Sequence, residues 1–504
     1  MAHSTTTGAT TRASTDEIVG IASDAVSAAR DATRAERAEW LTRVATLLEE
    51  EAGDLVEIAD RETHLGAPRL RGEIRRTTAQ LRLFADVVRE GSYLEASVDS
   101  ADPGASPPRP EIRRFLRPLG VVAVFSASNF PFAFSVAGGD TAAAFAAGCP
   151  VIVKAHSGHL ELSRRTADVV RRGLDEAGAP AGMLGLVEGR DAGVALAQAR
   201  HVRAVAFTGS LSGGRALLEV TSNRPDPIPF FGELGSVNPV IVTPGAVDVR
   251  RDELTAGLVE SFTLGGGQFC TKPGVVFVPA GFASTGLLRQ VVESTPGFTL
   301  LTDRITEAFA PSVARLLAAG EVDIVAAGAQ EHGRAAATVL RTSVHDFVSH
   351  SGTLLEECFG PLTLLVEYTD LDDVSDAVSH IEGSLTATIH AQPGEDVAGL
   401  VDVLSERAGR VLFDGWPTGV AVTWGQHHGG PWPATTTQHT SVGATSIRRF
   451  LRPIAYQHAP AALLPADLGD EGLNRIPHRV DGRLIVPSPG DPIDGDAPER
   501  TARR

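Results

Sequence analysis

Apolar residues recur every three or four positions from about Thr15 to Gly91, as in DEIVGIASDAVSAARDA and AEWLTRVATLLEEEAGDLVEIADRE. This spacing is typical of helices that bury one apolar face. The stretch DSADPGASPPRP follows, and its Pro, Ser and Gly content predicts a loop. The first part of the chain is therefore predicted to be helical and to end at this loop.

Beyond the loop, short apolar runs alternate with helical segments. VVAVFSAS, PVIVKAH, MLGLVEG and VRAVAFTGS are predicted strands, with the helices PFAFSVAGGDTAAAFAAG, HLELSRRTADVVRRGLDEAG and DAGVALAQAR between them. This alternation predicts a parallel sheet with right-handed crossovers, and dinucleotides bind at the carboxyl ends of such strands. A second α/β region starts at about Val240, and the Pro-, Gly- and Asp-rich tail from Ala459 is predicted to be loop-like in part.

Two side chains with catalytic potential lie in glycine-rich segments of the chain. Cys270 follows three successive glycines in TLGGGQFCTKPG, where the backbone can approach a ligand closely. A thiol there can act as a nucleophile if its pKa is lowered. Glu233 lies in FFGELGSVNP, and a glutamate beside apolar groups has a raised pKa and can serve as a base. Taken alone, Cys270 also fits a structural role as a small core thiol, and Glu233 fits the role of a solvated carboxylate.

Six motifs give a stronger indication of function than either residue alone, because they occur in a fixed order at domain-scale spacing. They are SNFPF at 128–132, VKAHS at 153–157, FTGSLSGG at 207–214, ELGS at 233–236, GQFCT at 267–271 and EECFGP at 356–361. The series resembles the NAD(P)-dependent aldehyde dehydrogenase superfamily over nearly the whole chain. The C-terminal GWPTGVAV…HHGGPWPATTTQHTSVG…RRFLRPIAYQ is similar to the 2-oxoglutarate semialdehyde (2,5-dioxopentanoate) dehydrogenases and their fatty aldehyde dehydrogenase relatives.

The resemblance implies an α/β protein of the aldehyde dehydrogenase fold. Residues 1–100 and 119–231 would form a Rossmann-like cofactor domain, and residues 232–434 an α/β catalytic domain. Residues 101–118 and 435–458 would form a small oligomerisation element, and 459–504 a C-terminal tail. A homo-oligomer is expected, either a dimer or a tetramer.

The resemblance also assigns catalytic roles. Cys270 matches the nucleophile that captures the aldehyde and becomes acylated as a thioester. Asn129 matches the side-chain donor of the oxyanion hole, acting with the backbone N–H of Cys270. Glu233 matches the base that activates the deacylating water. Relatives that pass the acyl group to coenzyme A usually lack this glutamate, so a free carboxylic acid is the expected product.

The cofactor residues follow in the same way. Lys154 matches the lysine that contacts the adenosine ribose, and it is one of only two lysines in the chain. Many NAD-preferring members carry a glutamate where this chain has Ser157, flanked by His156, and a missing carboxylate leaves room for a 2′-phosphate. NADP is therefore the expected cofactor, with NAD possible. The remaining predicted contacts are to the pyrophosphate and to the nicotinamide with its ribose: Gly209, Ser210, Glu357 and Phe359.

Composition narrows the choice of partners. The chain has 62 acidic and 45 basic residues and a net charge of −17, which argues against nucleic acid or an anionic membrane as its main partner. Its three cysteines are too few for a disulfide framework and suit a reducing compartment. With no apolar N-terminal run and no stretch long enough to span a bilayer, a cytoplasmic protein is expected.

The adjacent pair His427–His428 invites a metal interpretation. Neighbouring residues on extended backbone point to opposite faces, and the sequence places no carboxylate or cysteine beside them. No metal site is therefore predicted, and the pair is assigned to a substrate entrance or an interface. Cys358, Cys149 and Lys272 are assigned to packing.

The predicted function is oxidation of an aldehyde to the carboxylic acid, with 2,5-dioxopentanoate the expected substrate. A broad-specificity or fatty aldehyde dehydrogenase is the alternative among enzymes, ahead of coenzyme-A-acylating chemistry. A non-catalytic binding protein of the same fold is the alternative outside enzymes, and the set of Cys270, Glu233, Asn129 and Lys154 argues against it.

Overall fold

The computed structural model describes residues 10–284, 286–329 and 331–487. The predicted N-terminal helices are confirmed, and two short strands follow them: α1 (Arg12–Asp31), α2 (Arg34–Glu50), α3 (Ala52–Thr63), α4 (Ala67–Glu90), β1 (Ala96–Asp99) and β2 (Ile112–Pro118). The apolar faces of α2 and α4 meet in one core, where Trp40, Leu48 and Phe84 are almost fully buried. This core also packs against the first parallel sheet and fixes α4 beside it.

The predicted parallel sheet is present. Its strands are ordered β5-β4-β3-β6-β7 and every neighbouring pair is parallel. The elements are β3 (Val121–Phe125), α5 (Gly139–Ala147), β4 (Val151–Lys154), α6 (Leu160–Glu176), β5 (Leu184–Val187), α7 (Arg190–Gln198), β6 (Val202–Thr208), α8 (Leu211–Ser222) and β7 (Phe230–Glu233).

One predicted helix is shorter than expected. The pattern PFAFSVAGGDTAAAFAAG predicts a helix from about residue 131, but α5 begins at Gly139. The backbone N–H groups of Phe132 and Ala133 instead donate to the carboxylate of Glu73, at 2.8 and 3.0 Å. Because a side chain on α4 satisfies these donors, residues 131–138 form turns that carry the SNFPF motif over the sheet.

The second α/β region forms a seven-stranded sheet with the order β10-β11-β12-β9-β8-β13-β14. The β10–β11 pair is antiparallel and the other pairs are parallel. Its elements are β8 (Val240–Val242), α9 (Pro244–Thr263), β9 (Val275–Pro279), α10 (Gly286–Glu293), α11 (Asp303–Leu317), β10 (Asp323–Ala327), β11 (Thr338–Ser343), α12 (Val344–Ser349), α13 (Ser351–Leu354), β12 (Leu362–Tyr368), α14 (Leu371–Ser379), β13 (Ser384–His390), α15 (Ala398–Arg407) and β14 (Ala408–Phe413).

A third sheet joins distant parts of the chain, in the order β15-β2-β1-β16-β17. It contains β15 (Leu451–Gln457), β16 (His478–Val480) and β17 (Arg483–Ile485), with the short helix α16 (Asp470–Leu473) before β16. The tail is thus more ordered than its composition predicts, because β16 pairs in parallel with β1. The part of the predicted tail from residue 488 to 504 lies outside the described residues. Among the helices that the structure describes, none combines the length and the apolar character that a membrane crossing requires.

Candidate active site

Most of the predicted site residues meet at one edge of the first parallel sheet. Asn129 lies four residues beyond the end of β3, Lys154 is the last residue of β4, and Glu233 is the last residue of β7. Gly209 and Ser210 follow β6 directly. Since the strands are parallel, all of these residues lie at the carboxyl edge, where α/β proteins bind their ligands.

Cys270 comes from the second region and reaches this edge on a glycine-rich turn. Gly265, Gly266 and Gly267 all have positive φ angles, of 59°, 68° and 68°. A Cβ at Gly267 would overlap the backbone carbonyl of Gly360, so only glycine allows this close approach. The turn therefore presses the loop of Cys270 against the loop that carries Glu357 and Phe359.

Two asparagines hold the loop of Cys270 in place. The side-chain amide of Asn129 donates to the carbonyl of Gln268 at 2.9 Å. The amide of Asn238 donates to the carbonyls of Cys270 and Lys272, at 2.7 and 2.9 Å. The structure thus brings Asn129 beside the Cys270 loop, and it adds Asn238, which the motif analysis did not single out.

The thiol of Cys270 contacts two partners, Glu233 and His428. Its Sγ lies 3.6 Å from Nε2 of His428, and that same nitrogen donates to Oε1 of Glu233 at 3.1 Å. A carboxylate oxygen of Glu233 lies within 4.8 Å of the same sulfur. Glu233 and His428 are buried, whereas Cys270 is partly accessible. A potential nucleophile, a carboxylate and an imidazole therefore form one cluster.

The assignment of His428 to a substrate entrance or an interface is wrong, because its side chain is fully buried in this cluster. The segment after it closes over Glu233: Ser441 donates to Oε2 of Glu233 at 2.6 Å, and its backbone N–H donates to the carbonyl of His428. Thr440 accepts from the backbone N–H of His428. Cys270 and His428 are 158 positions apart in the chain, so no local sequence pattern predicts their contact.

Contrary to the sequence-based expectation, a carboxylate and a cysteine do lie near His428 in three dimensions. One ligand-type atom from each of Glu233, Cys270 and His428 lies within 4.8 Å of the other two. The thiol and the carboxylate are linked through Nε2 of His428, which contacts both, as expected of an acid–base cluster.

The environment sets the charge of each group. Burial strongly raises the pKa of the Cys270 thiol, and the neighbouring Glu233 carboxylate raises it further. Burial alone would also raise the pKa of Glu233, but the charge of His428 and the hydrogen bonds from His428 and Ser441 hold it below its ordinary value. The cluster at rest therefore pairs a neutral thiol with an ionised carboxylate that can accept a proton.

At the end of β4, the structure leaves Lys154 ready for a ligand. Its ammonium is half-buried and, within the described parts of the chain, has no hydrogen-bond or salt-bridge partner. The neighbouring Ser157 is exposed. A half-buried cation without a partner, followed by an exposed small residue, fits the hydroxyls or the phosphate of a nucleotide ribose.

His156 is a neutral partner in this region. Burial lowers its pKa to about 3, helped by His159, Lys154 and Arg304, and its Nδ1 accepts from the backbone N–H of Gly158 at 3.0 Å. The ring can therefore donate a hydrogen bond through Nε2 but supplies no positive charge at neutral pH. Arg304, an exposed residue at the start of α11, is a further cation that the motif analysis missed.

The other cofactor predictions lie where their motifs placed them. Ser210 caps α8 by accepting from the backbone N–H of Gly213, so Gly209 and Ser210 present a helix N-terminus that favours an anion. Glu357 is exposed as a whole residue. Desolvation of its carboxyl by the surrounding protein nevertheless raises its pKa to about 7. Its Oε2 lies close to the backbone of Gly235, and Phe359 beside it is half-buried.

Lys272 has a clearer role than packing. Its buried Nζ donates to the carbonyls of Cys358, Gly360 and Leu362, at 2.7, 3.2 and 2.8 Å. It therefore ties the chain just after Cys270 to the loop that carries Glu357. Cys358 and Cys149 are buried in apolar cores, as predicted.

A cavity of about 240 Å³ opens in front of the Cys270 thiol. Three phenylalanines, Phe130, Phe134 and Phe269, form much of its wall, and the turn Gly419–Val420 closes another side. The arginines Arg69 and Arg76 of α4 also line it. A small molecule in this cavity would lie against the thiol.

The aldehyde dehydrogenase family matches residues 2–432 of the chain. The chain belongs to the aldehyde dehydrogenase family. It is 42% identical to alpha-ketoglutaric semialdehyde dehydrogenase 2 of Azospirillum brasilense over 94% of this chain and 93% of that protein. It is 38% identical to alpha-ketoglutaric semialdehyde dehydrogenase of Acinetobacter baylyi over 90% and 88% of the two chains.

Solved structures agree on the fold. An NADP-dependent enzyme of E. coli superposes with a TM-score of 0.74 over 88% of this chain and 90% of that chain, at 24% identity. The predicted aldehyde dehydrogenase fold and the resemblance to the semialdehyde dehydrogenases are thus confirmed. As a family member the protein is an NAD(P)-dependent enzyme, and Lys154 and the start of α8 fit the nicotinamide cofactor.

Proposed function

We propose that the enzyme oxidises 2,5-dioxopentanoate to 2-oxoglutarate through a thioester on Cys270. The observation that carries this proposal is the hydrogen-bonded cluster of Cys270, Glu233 and His428 beside Asn129. The substrate is suggested by the two similar semialdehyde dehydrogenases. The protein-side chemistry can be derived from the contacts of the cluster.

The first step requires a thiolate. Since burial and Glu233 disfavour the ionised thiol, its proton has to leave for a nearby acceptor. The ionised Glu233 lies within 4.8 Å of the thiol sulfur, and His428 contacts both groups through Nε2. The thiolate then adds to the aldehyde carbon, forming a C–S bond and an oxyanion, and the Asn129 amide with the Cys270 N–H would stabilise that oxyanion.

When bound, the nicotinamide cofactor supplies the acceptor for the hydride that leaves this thiohemiacetal. The carbon left on Sγ is then a thioester. Glu233 accepts a proton from a water molecule that attacks the thioester carbon, the C–S bond breaks, and the carboxylic acid leaves with the Cys270 thiol restored. Its low pKa keeps Glu233 ionised and able to act as this base.

We further propose that NADP is preferred over NAD. Ser157 brings no carboxylate to the ribose, and Lys154 supplies a positive charge without a protein partner in the described residues. Arg304 adds a second cation near His156. These charges favour a 2′-phosphate.

We also propose a cytoplasmic homo-oligomer that joins through the third sheet. Its end strand β15 is exposed along much of its length, and β14, an edge strand of the seven-stranded sheet, presents the exposed Phe413. Exposed edge strands pair readily with a second chain. Light scattering coupled to size-exclusion chromatography gives the number of subunits, and a monomer would contradict this part of the proposal.

Steady-state kinetics with a panel of aldehydes tests the function. The panel contains 2,5-dioxopentanoate, pentanal and a long-chain fatty aldehyde, each with NAD and NADP, and with or without coenzyme A. We expect the highest kcat/KM for 2,5-dioxopentanoate with NADP, no requirement for coenzyme A, and 2-oxoglutarate as the product by mass spectrometry. Higher kcat/KM for the fatty aldehyde would instead identify the alternative suggested by the phenylalanine-lined cavity.

A further inference from the structure

One face of helix α4 forms the side of the cavity in front of Cys270. Arg69, Gly72, Glu73 and Arg76 all line it. Residues three and four apart share a face of a helix, so these positions point the same way. Nothing in the motifs marks this helix, which lies far before the catalytic motifs in the sequence.

Arg76 is the feature of this face that the structure leaves unexplained. Both of its terminal nitrogens are buried, and neither has a hydrogen-bond partner among the residues that the structure describes. Its guanidinium lies 5.6 Å from the ring centre of Phe134. An arginine keeps its charge at all physiological pH values, and a buried charge without a hydrogen-bond partner is costly. Arg76 lines the cavity, and two donors that the described protein leaves unused are suited to a carboxylate, which binds arginine in a bidentate manner.

Arg69, which lies seven residues before Arg76 on α4, supports the same interpretation. Its Nη2 donates to the backbone carbonyl of Asn129 at 2.6 Å, and its guanidinium lies over the rings of Phe130 and Phe269. Its Nη1 is buried and has no partner among the described residues. Arg69 thus links the cavity to the proposed oxyanion donor and has one donor left over.

Glu73 lies between the two arginines on this face of α4, and its charge acts on both of them. Its Oε1 accepts the backbone N–H groups of Phe132 and Ala133, so the carboxyl is turned toward the SNFPF turn. Burial raises its pKa. The described hydrogen bonds and salt bridges include none between Glu73 and either arginine, so neither guanidinium is paired directly with this carboxylate.

We propose that Arg76, assisted by Arg69, binds the carboxylate of the aldehyde substrate and makes the enzyme selective for short aldehydes that carry a carboxylate at the far end. Phe130, Phe134 and Phe269 line the same cavity as Cys270 and Arg76, and the carbon chain would lie against these rings. This inference rests on the proposed function, because it concerns how that substrate is recognised. It assigns Arg76 to specificity.

A competing role is that Arg76 compensates the charges of the cluster. Its charged surroundings include Glu73 and, in the cluster, both Cys270 and Glu233. In that case Arg76 would affect every aldehyde to the same extent. The two roles differ in one measurable quantity, the ratio of kcat/KM for 2,5-dioxopentanoate to kcat/KM for pentanal, which has the same number of carbons and no carboxylate.

The experiment measures this ratio for the full-length wild type and for Arg76→Met, Arg76→Lys and Arg71→Met. We expect Arg76→Met to lower the ratio by at least about tenfold, since hydrogen bonds to a charged group contribute about that much or more. Arg76→Lys should recover part of the ratio because it keeps the charge. Arg71 is exposed on another face of α4, and Arg71→Met should keep the wild-type ratio.

Binding of 2-oxoglutarate provides a readout that is independent of turnover. Isothermal titration of the Cys270→Ala protein should detect binding, and adding Arg76→Met should weaken it. Equal losses for both aldehydes, or an unchanged ratio in Arg76→Met while the wild type prefers 2,5-dioxopentanoate, would overturn the assignment of Arg76 alone. A wild type that does not prefer 2,5-dioxopentanoate over pentanal would overturn the proposed function together with this inference.

Discussion

The two ends of the active site are built in opposite ways. At the catalytic end, Glu233 and His428 are buried and hydrogen-bonded to each other, to Cys270 and to Ser441. At the ribose end, Ser157 is exposed, and the half-buried Lys154 lacks a hydrogen-bond partner in the described chain. The side chains at the catalytic end are paired with one another, whereas Lys154 at the ribose end is available to pair with a ligand.

This difference predicts how each end responds to substitution. Groups that exchange protons within a fixed cluster act as a unit, so loss of one should remove most of the activity. Groups that meet a ligand at a partly exposed surface contribute separately and modestly. The expected effects of substitution therefore decrease from the catalytic end to the ribose end.

The largest effect is expected for Cys270→Ala. Without Sγ no thioester can form, and we expect the rate of aldehyde oxidation to fall by at least about 10⁴-fold. Binding of the cofactor, followed by fluorescence titration, should persist because Cys270 lies away from Lys154 and α8. Cys149→Ala is the control, since that thiol is buried in a distant core. Substantial turnover by Cys270→Ala would place the nucleophile elsewhere.

A smaller but still large effect is expected for Glu233→Gln. The amide cannot accept a proton from water, so steady-state turnover should fall by about 10²–10³-fold. Stopped-flow absorbance should still show a burst of reduced cofactor, because hydride leaves before hydrolysis. Glu406→Gln, at an exposed position of α15, is the matched control. A steady-state rate equal to that of the wild type would exclude Glu233 as the base.

The pH dependence of Cys270 alkylation tests how the Glu233 carboxylate affects ionisation of the thiol. Burial and the Glu233 carboxylate both raise the pKa of Cys270, so the thiolate fraction should increase as the pH rises above neutral. Removing the carboxylate's charge removes one of these causes, and the profile of Glu233→Gln should therefore move to lower pH. Alkylation of Cys270 by iodoacetamide, followed by mass spectrometry across a pH series, measures this. A shift to higher pH would mean that Glu233 stabilises the thiolate.

The smallest effect is expected at the ribose end. Ser157→Glu places a carboxylate where a 2′-phosphate would bind, and should shift the kcat/KM ratio from NADP toward NAD by about tenfold. Salt and partial exposure limit the size of the change. Ser405→Glu adds the same charge on α15 and should leave the ratio as it was. A wild type that prefers NAD, or an unchanged ratio in Ser157→Glu, would contradict the proposed cofactor preference.

The sequence predicted those parts of the site that depend on local pattern. The predicted strand PVIVKAH contains Lys154, which ends β4, and the glycine run predicted a close approach of backbone at Cys270. It could not predict His428, because its contact with Cys270 depends on how a distant segment docks through Thr440 and Ser441. An adjacent histidine pair carries no local signal of such a contact.

Arg76 and Lys272 escaped prediction for the same reason. Arg76 lies on an amphipathic helix among many arginines, and only the packing of α4 against the SNFPF turn shows that it faces the cavity. Lys272 is rare by residue type, but its three carbonyl partners lie on the loop around residue 360. Chain topology, which single positions do not reveal, brings these groups together.

The cluster of Cys270, Glu233 and His428 is proposed to oxidise the aldehyde through a covalent intermediate on Cys270. The most direct test is the mass of the Cys270 peptide in Glu233→Gln, quenched in acid after one turnover with 2,5-dioxopentanoate and NADP. The account predicts an acyl adduct on Cys270, in an amount equal to the burst of NADPH and absent without NADP. A burst of NADPH with an unmodified Cys270 peptide would contradict it.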